Sequence, residues 1–386
     1  MKKKIAILGS TGSIGQSTLE VIKKDKKNFD IILLSANNNY KKLIQQAKQF
    51  KAKNVLIKNK KFYLKVKKSL SKTKVYCGDI PINKITPTKL DFTMSSIVGL
   101  AGLQPTIDAI KVSKIVALAN KETIICGWEI LSKFIKKHKT EIIPVDSEHF
   151  SIMELTKGMT NNEVEEIIIT ASGGPFLKTP LNKLRKIKAK QAIKHPNWKM
   201  GKKISVDSAN LMNKVFEVIE AHKLFRFDKS KYKIMIHPQS YVHSIIRFKN
   251  GLIKMILYDT DMKIPISNIL YKNKKNILKI SDIKIKNLNR LNFQKVDQKI
   301  FPSIKLLNKS LTLGHSTPII INAANEVLVN LFLAGKIEFL DIVKRINKIL
   351  EDKEFKKYAK RKPTSIKDIK MADNWARLKT VNMCVR

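Results

Sequence analysis

The run Gly9-Ser10-Thr11-Gly12-Ser13-Ile14-Gly15 constrains this chain more than any other seven residues. It follows an apolar stretch, Ile5 to Leu8, and precedes a segment, Ser17 to Lys24, whose apolar positions Leu19 and Ile22 fall on one face of a helix. Glycines between a strand and a helix let the backbone turn tightly and approach a pyrophosphate, which then rests against the unpaired N–H groups of the helix start. The spacing is Gly-x-x-Gly-x-x-Gly rather than Gly-x-Gly-x-x-Gly, so an ordinary strand-to-helix turn is the competing reading. The basic start Lys2-Lys3-Lys4 does not read as a signal peptide, because the apolar run after it ends at Leu8.

From residue 1 to 146 short apolar runs alternate with helical stretches: Ile5 to Leu8, Ile31 to Leu34, Val55 to Ile57, Phe92 to Val98, Ile115 to Ala119 and Ile142 to Val145. That alternation predicts an α/β domain with a parallel sheet of Rossmann type. Residues 147–270 mix strands and helices, with strands at Ile167 to Thr170 and Ile234 to Ile236 and a hairpin from Ile245 to Leu257 around Asn250-Gly251, which predicts a central α+β domain. A Lys/Asn-rich stretch, 271–298, reads as a linker. Residues 299–386 carry helical periodicity in Ile319 to Leu333 and Ile337 to Leu350, with Gly335 between them, so a C-terminal helical domain is expected. A length of 386 residues suits two or three such domains.

The formal charge of +45 comes from 76 basic and 31 acidic residues, yet only eight of the basic ones are arginine. Base and phosphate readers favour the forked guanidinium and interleaved aromatics, so the lysine-dominated excess argues against a specific nucleic-acid partner. No stretch approaches the roughly 18 uninterrupted apolar residues of a spanning helix, and no membrane partner is expected. Three cysteines, Cys77, Cys126 and Cys384, without a Cys-x-x-Cys pair fit a reducing cytoplasm.

After the second strand, where an NAD enzyme places an acid on the ribose 2′-hydroxyl, stand Asn37, Asn38 and Asn39, then Lys41 and Lys42. A 2′-phosphate is tolerated there, which favours NADPH. Asp146 and Glu148 follow the strand Glu141 to Val145, two apart on a chain read as extended, so that both carboxylates project together. Oxygen ligands alone suit Mg²⁺ or Mn²⁺. Glu217 is the candidate third ligand, on one face with Asn213 and Lys214 of a helix expected from Ala209 to Ala221. The competing readings are a capping acid for Asp146 and a surface ion pair for Glu217. Ser172-Gly173-Gly174-Pro175 can turn backbone amides toward a phosphate, and Ser208 is placed at a helix start with the same capacity. His195-Pro196-Asn197-Trp198-Lys199-Met200-Gly201 is read as a loop whose indole covers a ligand or a satellite core, and His237 and His243 are read as structural.

With Gly9 to Gly15, Asn120-Lys121-Glu122, Asp146-Ser147-Glu148-His149, Ser172 to Pro175, His195 to Gly201 and Ser205 to Glu217 in this order, the chain resembles the 1-deoxy-D-xylulose 5-phosphate reductoisomerase family over nearly its whole length. Blocks at His237-Pro238-Gln239-Ser240, Asp261-Met262 and Asn322-Ala323-Ala324-Asn325-Glu326 extend the likeness. The resemblance implies NADPH on Thr11, Gly12, Ser13, Ile14, Asn37, Asn38, Asn39, Asn120, Glu122 and Gly201. It implies a divalent cation, Mg²⁺, Mn²⁺ or Co²⁺, on Asp146, Glu148 and Glu217. It implies a sugar phosphate on Ser147, Glu148, Ser172, His195, Ser208, Asn213, Lys214 and Glu217, with Lys121 beside the reacting carbons and Trp198 and Met200 in a closing flap. Lys121, Asp146, Glu148, Glu217 and His195 are the expected catalytic set, and a homodimer serving isoprenoid precursor synthesis is implied too. Family members often carry Gly-Lys where this chain has Asn37-Asn38.

Overall fold

A computed structural model describes the chain apart from residues 87–88, 199, 273–277, 279–287 and 385–386. Half of the stretch read as a linker thus lies outside the described residues. The chain divides into two compact units.

The first unit is built on a seven-stranded sheet. Its strands are β1 (Lys3–Leu8), β2 (Phe29–Ala36), β3 (Asn54–Ile57), β4 (Lys74–Cys77), β5 (Leu90–Ser95), β6 (Ser113–Leu118) and β7 (Glu141–Pro144), in the order β4-β3-β2-β1-β5-β6-β7. Every neighbouring pair is parallel. Strand β1 from Ile5 to Leu8 and strand β2 from Ile31 to Leu34 are apolar and buried, as a sheet covered by helices on both faces requires. Between them lies α1 (Ser13–Lys23), and after β2 come α2 (Tyr40–Phe50) and α3 (Tyr63–Ser69). The strand order reverses between β1 and β5, which places the loops after these two strands at the topological switch point where α/β sheets bind ligands. Strand β4 is the one the apolar runs do not reveal, because Lys-Val-Tyr-Cys is a half-exposed edge of four residues.

Further along, α4 (Leu103–Val112) and α5 (Lys121–His138) flank β6, and α6 (Ser147–Leu155) follows β7. The second unit holds a five-stranded sheet: β8 (Val164–Ala171), β9 (Tyr232–Ile236), β10 (Val242–Phe248), β11 (Ile253–Leu257) and β12 (Gln294–Lys295), ordered β11-β10-β8-β9-β12. The hairpin expected around Asn250-Gly251 forms between β10 and β11, with Gly251 at φ +86°. Two helices, α7 (Lys202–Ala209) and α8 (Met212–Phe225), precede β9. Val218 and Ala221 of α8 share a buried cluster with Ile167, Ile169, Ile246 and Phe248 of the sheet. Full burial of a side chain the size of Val218 stabilises by about 1.5–3 kcal/mol, so the helix that carries Glu217 is firmly seated.

One later helix, α9 (Lys263–Tyr271), belongs to the first unit and packs on α1. Lys3 Nζ donates to Leu270 O at 2.8 Å, and the Tyr271 hydroxyl donates to Asp25 Oδ2 at 3.2 Å. The C-terminal helices are α10 (Lys305–Thr312), α11 (Thr317–Leu333), α12 (Asp341–Leu350), α13 (Phe355–Ala359) and α14 (Ile366–Cys384). Asn325 of α11 donates to Asp207 of α7 at 2.8 Å, a buried polar tie between these two helices. The architecture is the expected one: a parallel α/β sheet domain, a second sheet, and C-terminal helices.

Candidate active site

The turn after β1 requires its glycines for two separate reasons. Gly9 sits at φ +80°, and a Cβ there would meet Ser96 O at 2.8 Å. A Cβ on Gly15 would come within 2.5 Å of Gly9 O and 2.6 Å of Ser10 Cα. The first helical turn therefore folds onto the loop, and Gly12, the residue before α1, offers no side-chain cap. The loop is anchored from behind, since Ser10 N donates to Ser35 O at 2.9 Å and Gln46 Nε2 donates to Ser10 O at 2.9 Å. Uncapped N–H groups on a braced glycine turn suit a pyrophosphate.

Asn37, Asn38 and Asn39 are exposed at the end of β2. Asn39 caps α2, accepting from Lys42 N at 3.3 Å. Asn120 is buried, and its amide is spent within the protein: it accepts from Thr123 N at 3.1 Å and donates to Gly99 O at 2.9 Å and to Ile97 O. It shapes the loop after β5. Glu122 is buried beside it in the first turn of α5, and Gly201, exposed, precedes α7.

Asp146 and Glu148 are not on an extended chain as the sequence pattern suggested. Strand β7 ends at Pro144 and α6 begins at Ser147, so Asp146 acts as a cap, its Oδ1 accepting from Glu148 N at 3.3 Å, and Glu148 lies in the first helical turn. Both readings of Asp146, cap and site residue, are thus compatible. His149, fully buried, meets Asp146 Oδ1 through Nδ1 at 3.0 Å, and Lys121 Nζ donates to Asp146 Oδ2 at 3.3 Å. The Ser147 hydroxyl donates to Glu148 Oε2. On α8, Lys214 Nζ donates to Glu217 Oε2 at 2.6 Å and Asn213 Nδ2 donates to Glu217 Oε1. One carboxylate oxygen from each of Asp146, Glu148 and Glu217 lies within 4.8 Å of the other two. An all-carboxylate donor set whose members are each oriented by a donor fits a hard divalent cation. His149 is a site residue beyond those expected from the sequence, and its i,i+3 spacing from Asp146 is the signal that points to it.

Ser172 follows β8, and its Oγ lies 3.0 Å from His195 Nε2 and accepts from Gly174 N at 3.1 Å. His195 Nδ1 accepts from the backbone N–H of Asn197 at 3.1 Å and of Trp198 at 2.9 Å. Burial, aided by the nearby Lys214 ammonium, pushes the imidazole pKa down to about 4. Asn197 ties the loop down: its amide donates to Pro238 O at 2.7 Å and to Ser240 Oγ at 2.8 Å. Trp198 meets His243 edge to face at 6.1 Å between centroids, and His243 stacks on Tyr258 at 4.0 Å. Met200 is half-buried in the same loop. His237 and His243 are buried and bonded to backbone, His237 through Asn292 O at 2.9 Å and Tyr241 N at 3.2 Å.

Ser208 requires a correction. It stands in the last turn of α7, not at a helix start, because the helix expected from Ala209 is broken at Leu211, which adopts φ +60°. Asn210 Oδ1 accepts from Met212 N at 2.9 Å and so begins α8. Ser208 is nevertheless close to the Ser172 loop: a Cβ on Gly174 would stand 3.0 Å from Ser208 O and 2.9 Å from Ala209 Cα.

Three family profiles match the chain. Residues 5–127 match 1-deoxy-D-xylulose 5-phosphate reductoisomerase, residues 142–225 its C-terminal domain, and residues 257–379 a DXP reductoisomerase C-terminal domain. The chain is 49% identical to the 1-deoxy-D-xylulose 5-phosphate reductoisomerase of Pelagibacter ubique (strain HTCC1062), across 99% of this chain and 100% of that protein. It is 41% identical to the protein of the same name from Wolbachia pipientis subsp. Culex pipiens (strain wPip), across 92% of both. Among solved structures, the reductoisomerase of Zymomonas mobilis in complex with NADPH superposes with TM-score 0.92 at 35% identity, covering 100% of this chain and 99% of that one. A DOX-P reductoisomerase in complex with NADPH, fosmidomycin and magnesium gives TM-score 0.92 at 31% identity, covering 98% of each chain.

Proposed function

The chain belongs to the 1-deoxy-D-xylulose 5-phosphate reductoisomerase family, and from that premise we propose that it rearranges and reduces 1-deoxy-D-xylulose 5-phosphate to 2-C-methyl-D-erythritol 4-phosphate, using NADPH and a divalent cation, in isoprenoid precursor synthesis. The observation that carries the residue assignment is the set of three carboxylates within 4.8 Å of one another. Asp146, Glu148 and Glu217 would hold Mg²⁺, Mn²⁺ or Co²⁺, and the cation, once bound, supplies Lewis acidity to the substrate's ketone and neighbouring hydroxyl. Lys121 and Lys214 balance charge on these acids and hold their orientation, and Lys121 stands beside the reacting carbons.

Ser172, Ser208, Asn213, Lys214 and His195 bind the sugar phosphate, with Ser147 at the polyol. A neutral His195 gives its Nε2–H to Ser172 Oγ, which leaves the serine proton for a phosphate oxygen. Phosphate held far from the reacting carbons contributes binding energy to closure of the loop bearing Trp198 and Met200, and that closure excludes water. Thr11, Gly12, Ser13 and Ile14 receive the NADPH pyrophosphate, with Asn37, Asn38, Asn39, Glu122 and Gly201 along the rest of the cofactor. Asn120 contributes by fixing the loop after β5. The relatives solved with NADPH and with magnesium support this assignment.

A homodimer is supported by the edge strand β11, where Ile253 is 58% and Met255 42% exposed, with Leu252 just before it also 58% exposed. Such an apolar edge invites pairing with a second copy. A cytoplasmic setting is supported by three cysteines that form no disulfide among the described residues. The test of the central reading is NADPH oxidation with the phosphorylated deoxyketose. Activity should vanish in excess chelator and return with Mg²⁺ or Mn²⁺. Glu217→Gln should lower turnover by at least about 100-fold while NADPH binding, followed by fluorescence, stays near normal. Full turnover in chelator would remove the metal from the mechanism.

A further inference from the structure

The ends of β2 and β3 lie side by side, with Ala36 opposite Ile57. Beyond them the two strands' loops are stitched together: Lys58 N donates to Ala36 O at 2.9 Å, Asn59 N to Asn37 O at 3.3 Å, and Asn59 Nδ2 to Asn38 Oδ1 at 2.8 Å. The carboxyl end of β2 is where a dinucleotide fold meets the adenosine ribose. From residue 31 to residue 78 there is no aspartate or glutamate, while thirteen lysines fall between 41 and 74. Lys58 has one carboxylate partner, Asp79 at 3.1 Å, in a pair exposed on both sides and therefore weak.

We propose that the paired amides of Asn38 and Asn59, flanked by Lys58 and Lys60, form the seat of the ribose 2′-phosphate and so select NADPH over NADH. This deepens the cofactor reading given above and rests on it. The Asn38–Asn59 bond sets the direction of both amides. It uses Asn38 Oδ1 as acceptor and one N–H of Asn59, so two N–H donors of Asn38 and one of Asn59 carry no other bond among the described residues. Three neutral donors in a lysine-rich surround, where the exposed Asp79 is already paired with Lys58, match a phosphate monoester dianion, whose oxygens only accept. A 2′-hydroxyl lacks the charge that the flanking ammonium groups attract. Asn59 is also half-buried and braced, because its Oδ1 accepts from Lys61 N at 3.0 Å. The selectivity thus comes from the strand next to β2, four residues before α3, and not from β2 alone.

The test uses nucleotide fragments, whose binding does not depend on turnover. The wild-type chain should bind 2′,5′-ADP at least about tenfold more tightly than 5′-AMP by calorimetry. Asn59→Asp keeps the oxygen that caps Lys61 N but sets a carboxylate against the phosphate. It should weaken 2′,5′-ADP by about tenfold or more and leave 5′-AMP within about twofold, with NADPH and NADH following the same split. Asn59→Ser, which keeps an acceptor and removes the amide donors, should fall between the two. Equal weakening of both fragments, or no change in either, overturns the proposal. A wild-type chain that binds NADPH without separating the fragments also sinks it while leaving the dinucleotide site standing. A wild-type chain that binds neither NADPH nor 2′,5′-ADP sinks the cofactor reading itself.

Discussion

Two backbone N–H groups, those of Asn197 and Trp198, converge on the same ring nitrogen of His195, and a nitrogen that accepts cannot also carry a proton. The proton of the neutral ring is therefore on Nε2, facing Ser172. Burial of the charged ring, and then the nearby Lys214 ammonium, lower its pKa to about 4, and a proton on Nδ1 would displace both contacts. The sign of the linkage follows: between about pH 4 and the ordinary value of 6.5 the unfolded chain binds the proton and the native chain does not. Stability from this group is thus complete above 6.5 and is lost as pH falls toward 4. We expect the His195 ring carbons to titrate near pH 4 by NMR and kcat/KM to show no limb from this residue between about pH 5.5 and 9. A ring that titrates near 6.5 would remove the tautomer argument. Little of this was legible in the sequence. His195 could be singled out from its motif, but contacts made by main-chain N–H groups leave no trace in residue identity. Asp146 and Glu148 are legible in the sequence as a pair, but a helix start rather than an extended strand brings them together.

Elements were more legible than residues wherever a hydrophobic period ran long enough. The β10–β11 hairpin was readable from Asn250-Gly251 between apolar runs, and α11 from its periodicity. Strand β4 was hidden by its shortness and exposure. The break between α7 and α8 was hidden because nothing in Ser-Ala-Asn-Leu-Met marks a left-handed leucine. The same hairpin supports an association test. Ile253→Lys combined with Met255→Lys places two charges on the edge of β11; by light scattering we expect the wild type to run as a dimer and the substituted chain as a monomer. Equal masses for the two would show that the edge is not the interface.

For the molecule as a whole, +45 acts on substrates that are themselves polyanions. Summed fields of this size raise encounter rates by about 10- to 1000-fold and are screened over about 10 Å at 0.1 M salt. We expect kcat/KM to fall about tenfold between about 20 and 300 mM salt while kcat holds. A flat profile would mark the lysines as bystanders to encounter. That charge was plain from composition, whereas the way the chain returns on itself was not. Helix α9, from Lys263 to Tyr271, completes the unit that β1 begins: Ile264, Ile266, Ile269 and Leu270 are all buried, and Lys3 reaches its last turn. The first unit is consequently not a cassette that a single recombination event can lift out. A gene fragment stopping at Asp146 encodes every residue of the glycine turn yet omits the keystone laid on α1, so grafting this unit means carrying over two stretches that lie far apart in the gene, one ending near Phe150 and one beginning at Asp261.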